Sequence, residues 1–222
     1  MNDDQDIAAD DDKAALAQAL ERGRLLFAAP CDFVLGAVKP DDVPPPDLPE
    51  VAFAGRSNVG KSSLVNALTG RGGLARASVE PGRTRQINFF DLGGRLMLAD
   101  LPGYGFARAA KTDIKRWTGL TRAYLRGRAN LRRVCLLIDA RVGLKEPDRA
   151  MMKMLDEAGQ SYALVLTKTD ALKAGALAAA RAAAVAEAAR HTAAHPAVFV
   201  TSARKGRDIP ALRAHLAALA DG

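Results

Sequence analysis

The chain has 222 residues, of which 49% are hydrophobic and 26% charged, a composition typical of a globular protein in water. This length suits one sizeable domain with an appendage and is short for two full domains. No apolar run is long enough to span a bilayer, and the acidic amino terminus lacks the pattern of a secretory signal, so we expect a cytoplasmic protein with no membrane partner. The two cysteines, Cys31 and Cys135, are too few for a disulfide framework, and the apolar run around Cys135 predicts a buried thiol.

The net charge of +7 is unevenly distributed along the chain. Six aspartates and no basic residue lie within residues 1–12, so removing their six negative charges from the total leaves +13 on the rest. Binding of a nucleotide does not require such an excess, which therefore favours a polyanionic partner.

The first 50 residues are predicted to form an appendage to one main domain. Residues 1–23 begin with a composition typical of disorder, followed by a short predicted helix over 13–22 that ends at Gly23. Residues 24–50 contain enough apolar side chains to pack against the main domain, and they end in a proline-rich linker. The main domain is predicted to be residues 51–222.

Short apolar runs alternate with helical segments along this domain, at 51–54, 87–90, 96–99, 134–138, 163–166 and 197–200. The alternation predicts an α/β fold of three layers, in which helices cover both faces of a sheet. A short turn with Gly93 and Gly94 separates the second and third runs, which predicts an antiparallel hairpin. The expected sheet is mixed and mostly parallel, with one antiparallel strand. The alanine-rich stretch 174–194 and the residues after Asp208 predict the last two helices.

The strongest motif is Gly55 to Ser63, which fits the phosphate-loop pattern of Gly, four residues, and Gly-Lys-Ser. An apolar run precedes it, and helical residues 64–68 follow until Gly70, which gives the strand, loop and helix that the motif requires. Backbone N–H groups of such a loop surround the phosphates of a nucleotide, and its glycines allow the close approach. The predicted nucleotide-binding residues here are Gly55, Arg56, Ser57, Asn58, Val59, Gly60, Lys61 and Ser62.

Three side chains are assigned to the chemistry of a triphosphate. Lys61 places a charge near the β and γ phosphates and is a predicted catalytic residue, while the Ser62 hydroxyl is a predicted Mg²⁺ ligand. In the loop before the first hairpin strand, Thr84 is predicted to supply a second hydroxyl to Mg²⁺ and to act in catalysis. The nucleotide-binding residues predicted in that loop are Gly82, Arg83, Thr84, Arg85 and Gln86, although a single loop threonine is weak evidence.

A carboxylate follows the second hairpin strand in the sequence Asp100-Leu101-Pro102-Gly103. Ligands of open α/β sheets bind at the carboxyl ends of strands, so Asp100 is a predicted Mg²⁺ ligand that acts through water. The backbone N–H of Gly103 is predicted to contact the γ-phosphate, which makes this loop a sensor of that phosphate and Gly103 a candidate catalytic residue. Asp100, Leu101, Pro102 and Gly103 are all assigned to the nucleotide site.

Two further motifs, each after an apolar run, predict recognition of the base. In Thr167-Lys168-Thr169-Asp170, the Asp170 carboxylate accepts two hydrogen bonds from guanine that adenine does not offer, so guanine is expected. The Lys168 stem can lie along the purine, and a capped helix start at Thr169 and Asp170 is compatible with this role. The segment Thr201, Ser202 and Ala203 is predicted to offer a backbone N–H to guanine O6.

A basic stripe lies within residues 108–133. Lys111, Lys115, Arg122 and Arg126 fall on one face of a predicted helix, and Ile114, Trp117, Thr121, Tyr124 and Leu125 fall on another. We predict that the basic face contacts RNA. An ordinary solvated helix face has the same pattern, so this alternative stays open.

Together, residues 55–63, 81–86, 100–107, 167–170 and 201–206 resemble the EngB (YihA/YsxC) family of bacterial GTP-binding proteins, over the chain from about Leu25 onward. The resemblance implies a Ras-like P-loop GTPase domain that binds GTP or GDP with Mg²⁺. It also implies a role in assembly of the large ribosomal subunit, with a family association to cell division and septation. The alternatives are a switch that acts on a protein effector alone, and a GTP-binding scaffold that hardly hydrolyses GTP.

The resemblance bears on mechanism at two positions. Tyr104 stands where Ras-like enzymes have the glutamine that orients the attacking water, so we expect slow hydrolysis by the isolated protein. In GTPases that share an asparagine at the position of Asn58 and lack that glutamine, the asparagine is associated with a bound K⁺, so K⁺ is a candidate cofactor. Hydrogen bonding of Asn58 within its own loop is the alternative. We expect the protein to act as a monomer.

Overall fold

The structure is a computed structural model that describes residues 3–74, 86–105 and 111–221; for residues 3–11 and 111–117 it describes the backbone without the side chains. The elements in chain order are α1 (Asp3–Ala28), β1 (Cys31–Ala37), β2 (Glu50–Gly55), α2 (Lys61–Thr69), β3 (Ile87–Leu92), β4 (Leu96–Asp100), α3 (Lys111–Gly127), β5 (Leu131–Asp139), α4 (Glu146–Ala158), β6 (Tyr162–Thr167), α5 (Ala174–Ala188), β7 (Ala194–Val200) and α6 (Ile209–Ala217). Within this part of the chain, no helix is both long enough and apolar enough to cross a membrane.

The seven strands form one sheet in the order β1-β3-β4-β2-β5-β6-β7. Strand β3 runs antiparallel to both of its neighbours, and every other pair is parallel. The predicted hairpin is confirmed, with Asn88 opposite Asp100 and a turn in which Gly93 and Gly94 take φ values of 63° and 65°. A mixed, mostly parallel sheet with one antiparallel strand is therefore confirmed.

The strands bury both of their faces, because side chains alternate between two separate hydrophobic clusters. Ala52 and Leu136 belong to the cluster under α3, α4 and α5, whereas the next residues in each strand, Phe53 and Leu137, belong to the cluster under α1, α2 and α6. Cys135 is fully buried in the second cluster as a free thiol, as predicted. Helices thus cover both faces of the sheet, and the three-layer prediction is confirmed.

Helix α1 differs from the prediction at both ends. Its backbone is helical from Asp3, within the stretch predicted to be disordered, and it continues past Gly23 to Ala28. Gly23 does not end the helix because it faces α6, where a Cβ atom would lie 2.5 Å from the backbone N of Ala214. This glycine therefore lets two helices pack closely, and sequence spacing alone cannot distinguish that role from a helix stop.

The segment 24–50 contains a strand, β1, that was not predicted. Strand β1 pairs with β3 and forms one edge of the sheet, where Phe33 and Val34 remain 50% and 43% exposed. At the other end of the chain, the alanine-rich helix is confirmed as α5, although Ala194 already begins β7. Asp208 precedes α6 as predicted, yet it takes a left-handed φ of 52° and its side chain makes no capping hydrogen bond.

Candidate functional site

The predicted site residues meet at the carboxyl edge of the sheet. The phosphate loop follows β2, the Asp100–Gly103 loop follows β4, Thr167–Asp170 follows β6 and Thr201–Ala203 follows β7. Strands β2, β4, β5, β6 and β7 are mutually parallel, so these loops emerge on one side. Ligands of open α/β sheets bind at this side.

The phosphate loop is held open by its backbone and by one neighbour. Asn58 and Gly60 take left-handed φ values of 63° and 105°, and Gly60 stands directly before α2 with no side chain capping that helix. Gly55 has no positive φ; it is required because a Cβ there would lie 2.8 Å from the Val59 side chain. Thr167 fixes the far side of the loop by donating from Oγ1 to the Val59 carbonyl over 2.6 Å. The first N–H groups of α2 therefore point into the site, where an anion can bind.

Lys61 and Asp100 form an ion pair through Lys61 Nζ and Asp100 Oδ1, with side chains 13% and 6% exposed. Ser62 follows Lys61 in the first turn of α2. An ammonium, a hydroxyl and a carboxylate at one point fit a Mg²⁺-bound polyphosphate, since Mg²⁺ takes few protein oxygens and fills its shell with water and phosphate. No group of three or more His, Cys, Asp or Glu side chains in the described part of the chain could hold a metal ion.

The Asp100–Gly103 loop lies directly against the phosphate loop. Tyr104, the next residue, accepts from the Ser57 N–H over 2.9 Å and donates its own N–H to the Gly55 carbonyl over 3.2 Å. A Cβ on Gly103 would lie 3.1 Å from Ser57 Oγ and 3.4 Å from the Ser57 backbone N, so Gly103 packs closely against the phosphate loop. The Tyr104 hydroxyl donates to Asp148 Oδ1 on α4 over 2.9 Å.

A cavity of about 290 Å³ opens beside the phosphate loop at the end where a base would bind. It is lined by Gly60, Ser63, Leu64, Arg141, Thr167, Lys168, Asp170, Ala171, Thr201, Ala203 and Arg204. Ser202 Oγ donates to Asp170 Oδ1 over 2.6 Å, and this hydrogen bond is the main reason that the pKa of Asp170 lies below its ordinary value. The Ser202 N–H donates to the Arg207 carbonyl over 3.2 Å, whereas Thr201 and Ala203 line the cavity.

Asp139 and Arg141 belong to this site but were not predicted. Asp139 accepts from both Arg141 Nε and Nη2 over 2.9 and 2.8 Å, and it forms an ion pair with Lys168 Nζ over 2.9 Å. Burial opposes its ionisation, but the hydrogen bonds from Arg141 and Lys168 outweigh burial and hold the pKa of Asp139 at about 2. Its position directly after the run 134–138, like that of Asp100 after 96–99, is the sequence signal that could have found it.

Several predicted residues are not placed in the site. Thr84, with Gly82, Arg83 and Arg85, lies outside the described residues. Gln86 Nε2 donates to Asn88 Oδ1 over 2.8 Å and lies against Gly36 of the edge strand, so it is not among the residues that line the cavity.

The structure describes two of the four side chains of the predicted basic stripe. The side chains of Lys111 and Lys115 lie outside the described residues, whereas Arg122 and Arg126 are exposed on α3. The opposite face is buried as predicted at Thr121, Tyr124 and Leu125. The orientation of α3 thus agrees with the predicted pattern over its second half.

The sheet order, the phosphate loop and the Lys61–Asp100 pair define a P-loop GTPase fold and nucleotide site. Residues 50–168 match a family model described as "50S ribosome-binding GTPase". The chain is 60% identical to a probable GTP-binding protein EngB of Rhodospirillum rubrum over 96% of this chain and 94% of that one, and 52% identical to that of Caulobacter vibrioides over 91% and 88%. The chain belongs to the EngB family of GTP-binding proteins.

Solved structures agree on the fold. A probable GTP-binding protein engB is similar with a TM-score of 0.59 at 24% identity, over 78% of this chain and 98% of that chain. Era bound to GDP and aluminium fluoride is similar with a TM-score of 0.60 at 18% identity, over 78% of this chain and 57% of that chain.

Proposed function

We propose that this protein is a cytoplasmic, monomeric GTP switch with slow hydrolysis that acts in the assembly of the large ribosomal subunit. The observation that carries the proposal is the match of residues 50–168 to a family described as ribosome-binding. The excess of positive charge outside residues 1–12 and the exposed arginines of α3 support an RNA partner. A contribution to cell division and septation belongs to the same proposal through the family resemblance.

Guanine selection is assigned to Asp170, held in place by Ser202. A carboxylate accepts from both guanine N1–H and the exocyclic amine, whereas an amide accepts with one atom and donates with the other. We expect Asp170→Asn to lower GTP affinity about tenfold or more. The same change should favour xanthosine triphosphate, because xanthine carries a carbonyl where guanine carries the amine. Calorimetric titration with both nucleotides checks this, and unchanged GTP binding by the variant would refute the assignment.

The phosphate end is assigned to hydrolysis. Ser62 and Asp100 would hold Mg²⁺, with Thr84 as the third proposed ligand, and the ion supplies charge that neutralises the phosphate oxygens. Lys61, already placed beside Asp100, would transfer its interaction to the β and γ phosphates. Gly103 offers its backbone to the γ-phosphate from a loop that is bonded to the phosphate loop through Tyr104. Because Asp148 holds the Tyr104 hydroxyl, that side chain does not orient water in this arrangement.

The ribosomal role is tested by co-sedimentation with large ribosomal subunits across a salt series, with GDP or a non-hydrolysable GTP analogue. We expect stronger binding with the analogue and weaker binding as salt rises. Neutralising Lys111, Lys115, Arg122 and Arg126 should reduce the log–log salt slope by roughly 0.7–0.9 for each RNA phosphate that the variant no longer neutralises. The matched control neutralises four exposed basic residues elsewhere on the chain, Arg22, Lys153, Arg181 and Arg190.

Each outcome of this experiment has a distinct meaning. An unaltered slope in the fourfold variant removes the α3 face from the proposal. Absence of any nucleotide-dependent binding to the subunit, with GTP binding intact, contradicts the ribosomal role and favours a switch that acts on a protein effector alone.

A further inference from the structure

Asp148 is a completely buried carboxylate on α4 that does not line the base cavity. Two hydrogen-bond donors and one cation, from three segments, converge on it. Tyr104 Oη donates to Oδ1 over 2.9 Å, the Lys145 N–H donates to Oδ2 over 2.9 Å, and Arg56 Nε forms an ion pair with Oδ2 over 3.1 Å. An ionised carboxylate is buried at a large cost unless its charge and its lone pairs are matched. The Arg56 cation matches its charge, and Tyr104 and Lys145 donate the hydrogen bonds.

Both side chains that reach Asp148 come from the nucleotide site. Arg56 is the second residue of the phosphate loop, and Tyr104 directly follows Gly103, which is proposed to contact the γ-phosphate. The backbones of Arg56 and Tyr104 also pair as a short parallel bridge. The two loops are therefore joined through their main chains as well as through their contacts with Asp148. Because Tyr104 directly follows Gly103, we expect a movement of Gly103 to alter the Tyr104–Asp148 hydrogen bond.

The segment Arg141–Lys145 is tied to the same two loops. Its Gly143 carbonyl accepts from Arg56 Nη2 over 3.2 Å, its last residue Lys145 bonds to Asp148, and its first residue Arg141 lines the base cavity. Between these anchors, Val142 is a large apolar side chain that is 46% exposed. The contacts that hold this exposed segment in place therefore all lie in or beside the nucleotide site.

We propose that Asp148 is a positioning residue that holds the γ-phosphate-sensing loop against the phosphate loop through Tyr104 and Arg56, and that it makes the surface segment Arg141–Lys145 respond to the bound nucleotide. The proposal rests on the proposed function in one respect, because it takes Gly103 as the residue that contacts the γ-phosphate. It adds a third nucleotide-responsive surface beyond the two loops that touch the phosphates. A purely structural carboxylate would stabilise α4 equally with GDP and with GTP.

The test is amide hydrogen exchange of the full chain, measured with GDP and with a non-hydrolysable GTP analogue after calorimetry has shown that each nucleotide binds. We expect exchange in residues 141–150 to differ between the two nucleotides in the wild type. Tyr104→Phe should abolish that difference and shift the ratio of analogue to GDP affinity by about fivefold or more, since it removes a hydrogen bond to a buried carboxylate. Tyr162→Phe is the matched control, because the Tyr162 hydroxyl is buried and has no hydrogen-bond partner among the described residues.

The possible results separate cleanly. A wild-type difference that disappears in Tyr104→Phe and persists in Tyr162→Phe supports the proposal. Equal exchange in residues 141–150 with both nucleotides, or a difference that persists in Tyr104→Phe, overturns it. Failure of GTP to bind at all would contradict the proposed function instead. Asp148→Asn should behave as Tyr104→Phe does, and if it fails to fold, Tyr104→Phe alone decides, since it leaves Asp148 bonded to Lys145 and Arg56.

Discussion

Replacing Arg128 by Met would break a buried ion pair that joins α3 to the start of β2. Arg128 is 5% exposed; its Nε and Nη2 donate to the Glu50 carboxylate over 2.7 to 3.1 Å, and its Nη1 donates to the Pro44 carbonyl over 2.7 Å. Tyr124 Oη donates to the same carboxylate over 2.6 Å. Arg128 follows the last residue of α3, so this network fixes the end of the helix that carries the proposed RNA-binding face.

The expected loss of stability follows from what Glu50 retains. Removing one partner of a buried ion pair costs about 3–5 kcal/mol, because the other charge is left uncompensated. In Arg128→Met, Glu50 keeps the hydrogen bond from Tyr124, so we expect a loss of about 3 kcal/mol, near the lower end of that range. For a chain of this size the melting temperature should fall by about 6–12 °C.

Urea unfolding and thermal melts of three variants test this reasoning. Arg95→Met removes the same side chain from the ion pair with Asp221, which is about half exposed, and should cost less than about 1 kcal/mol. Arg128→Met combined with Glu50→Gln removes the uncompensated charge and should be more stable than Arg128→Met alone. A loss below about 1 kcal/mol for Arg128→Met, or a double variant no better than the single one, would refute the argument.

Three further predictions concern cation activation, pH and helix packing. K⁺ should accelerate GTP hydrolysis more than Na⁺ does, and Asn58→Ala should abolish this difference while GTP still binds. Asn58→Gly is the control for backbone strain, because Asn58 has a positive φ. Equal hydrolysis rates in matched KCl and NaCl would count against the prediction. Burial lowers the pKa of His215 to about 4, so its neutral form stabilises the folded state and unfolding free energy should fall as pH drops from 6.5 toward 4. Because His215 is partly exposed, we expect the unfolding free energy to fall by roughly 1–2 kcal/mol over this pH range. Denaturant titrations at several pH values measure this loss, and His215→Phe should remove it. Gly23→Ala should destabilise by about 1–3 kcal/mol because its Cβ meets the α6 backbone, whereas Gly175→Ala, in open space on α5, should be neutral or stabilising in the same unfolding assay.

The loops at the carboxyl edge of the sheet could be predicted because each carries its chemistry in contiguous residues. Gly55 to Ser63 and Asp100 to Gly103 are recognised by spacing after an apolar run, without knowledge of their neighbours. Asp139 follows the run 134–138 in the same way and could have been found by the same spacing. Asp148 escapes such reasoning, since its role depends on partners from other segments. Nothing in the residues around Asp148 indicates that Tyr104, 44 positions earlier, donates to it.

The amino-terminal part was predicted less well for a related physical reason. A glycine in a helical pattern predicts a stop, but Gly23 is fixed by the backbone of α6, near the other end of the chain. Among the described strands, β1 pairs with β3 alone, and its apolar residues Phe33 and Val34 are exposed. Its sequence therefore shows neither the buried run nor the regular alternation that identifies the central strands. Edge elements of this kind are defined by pairing, which composition does not reveal.

The balance of charge at the phosphate end bears on why hydrolysis by the isolated protein should be slow. Among the described residues there, Arg56 is paired with Asp148, Lys61 with Asp100, and Lys168 with Asp139. Only Lys61 has a partner that is itself expected to move onto Mg²⁺, so only Lys61 is free to transfer its charge to the phosphates. Arg56 cannot follow without leaving a buried carboxylate unpaired, which costs about 3–5 kcal/mol. Additional positive charge would therefore come from outside these pairs: from the predicted nucleotide-binding residues Arg83 and Arg85, from a cation at Asn58, or from a bound partner. The hydrolysis rate should respond to the cation and to the partner.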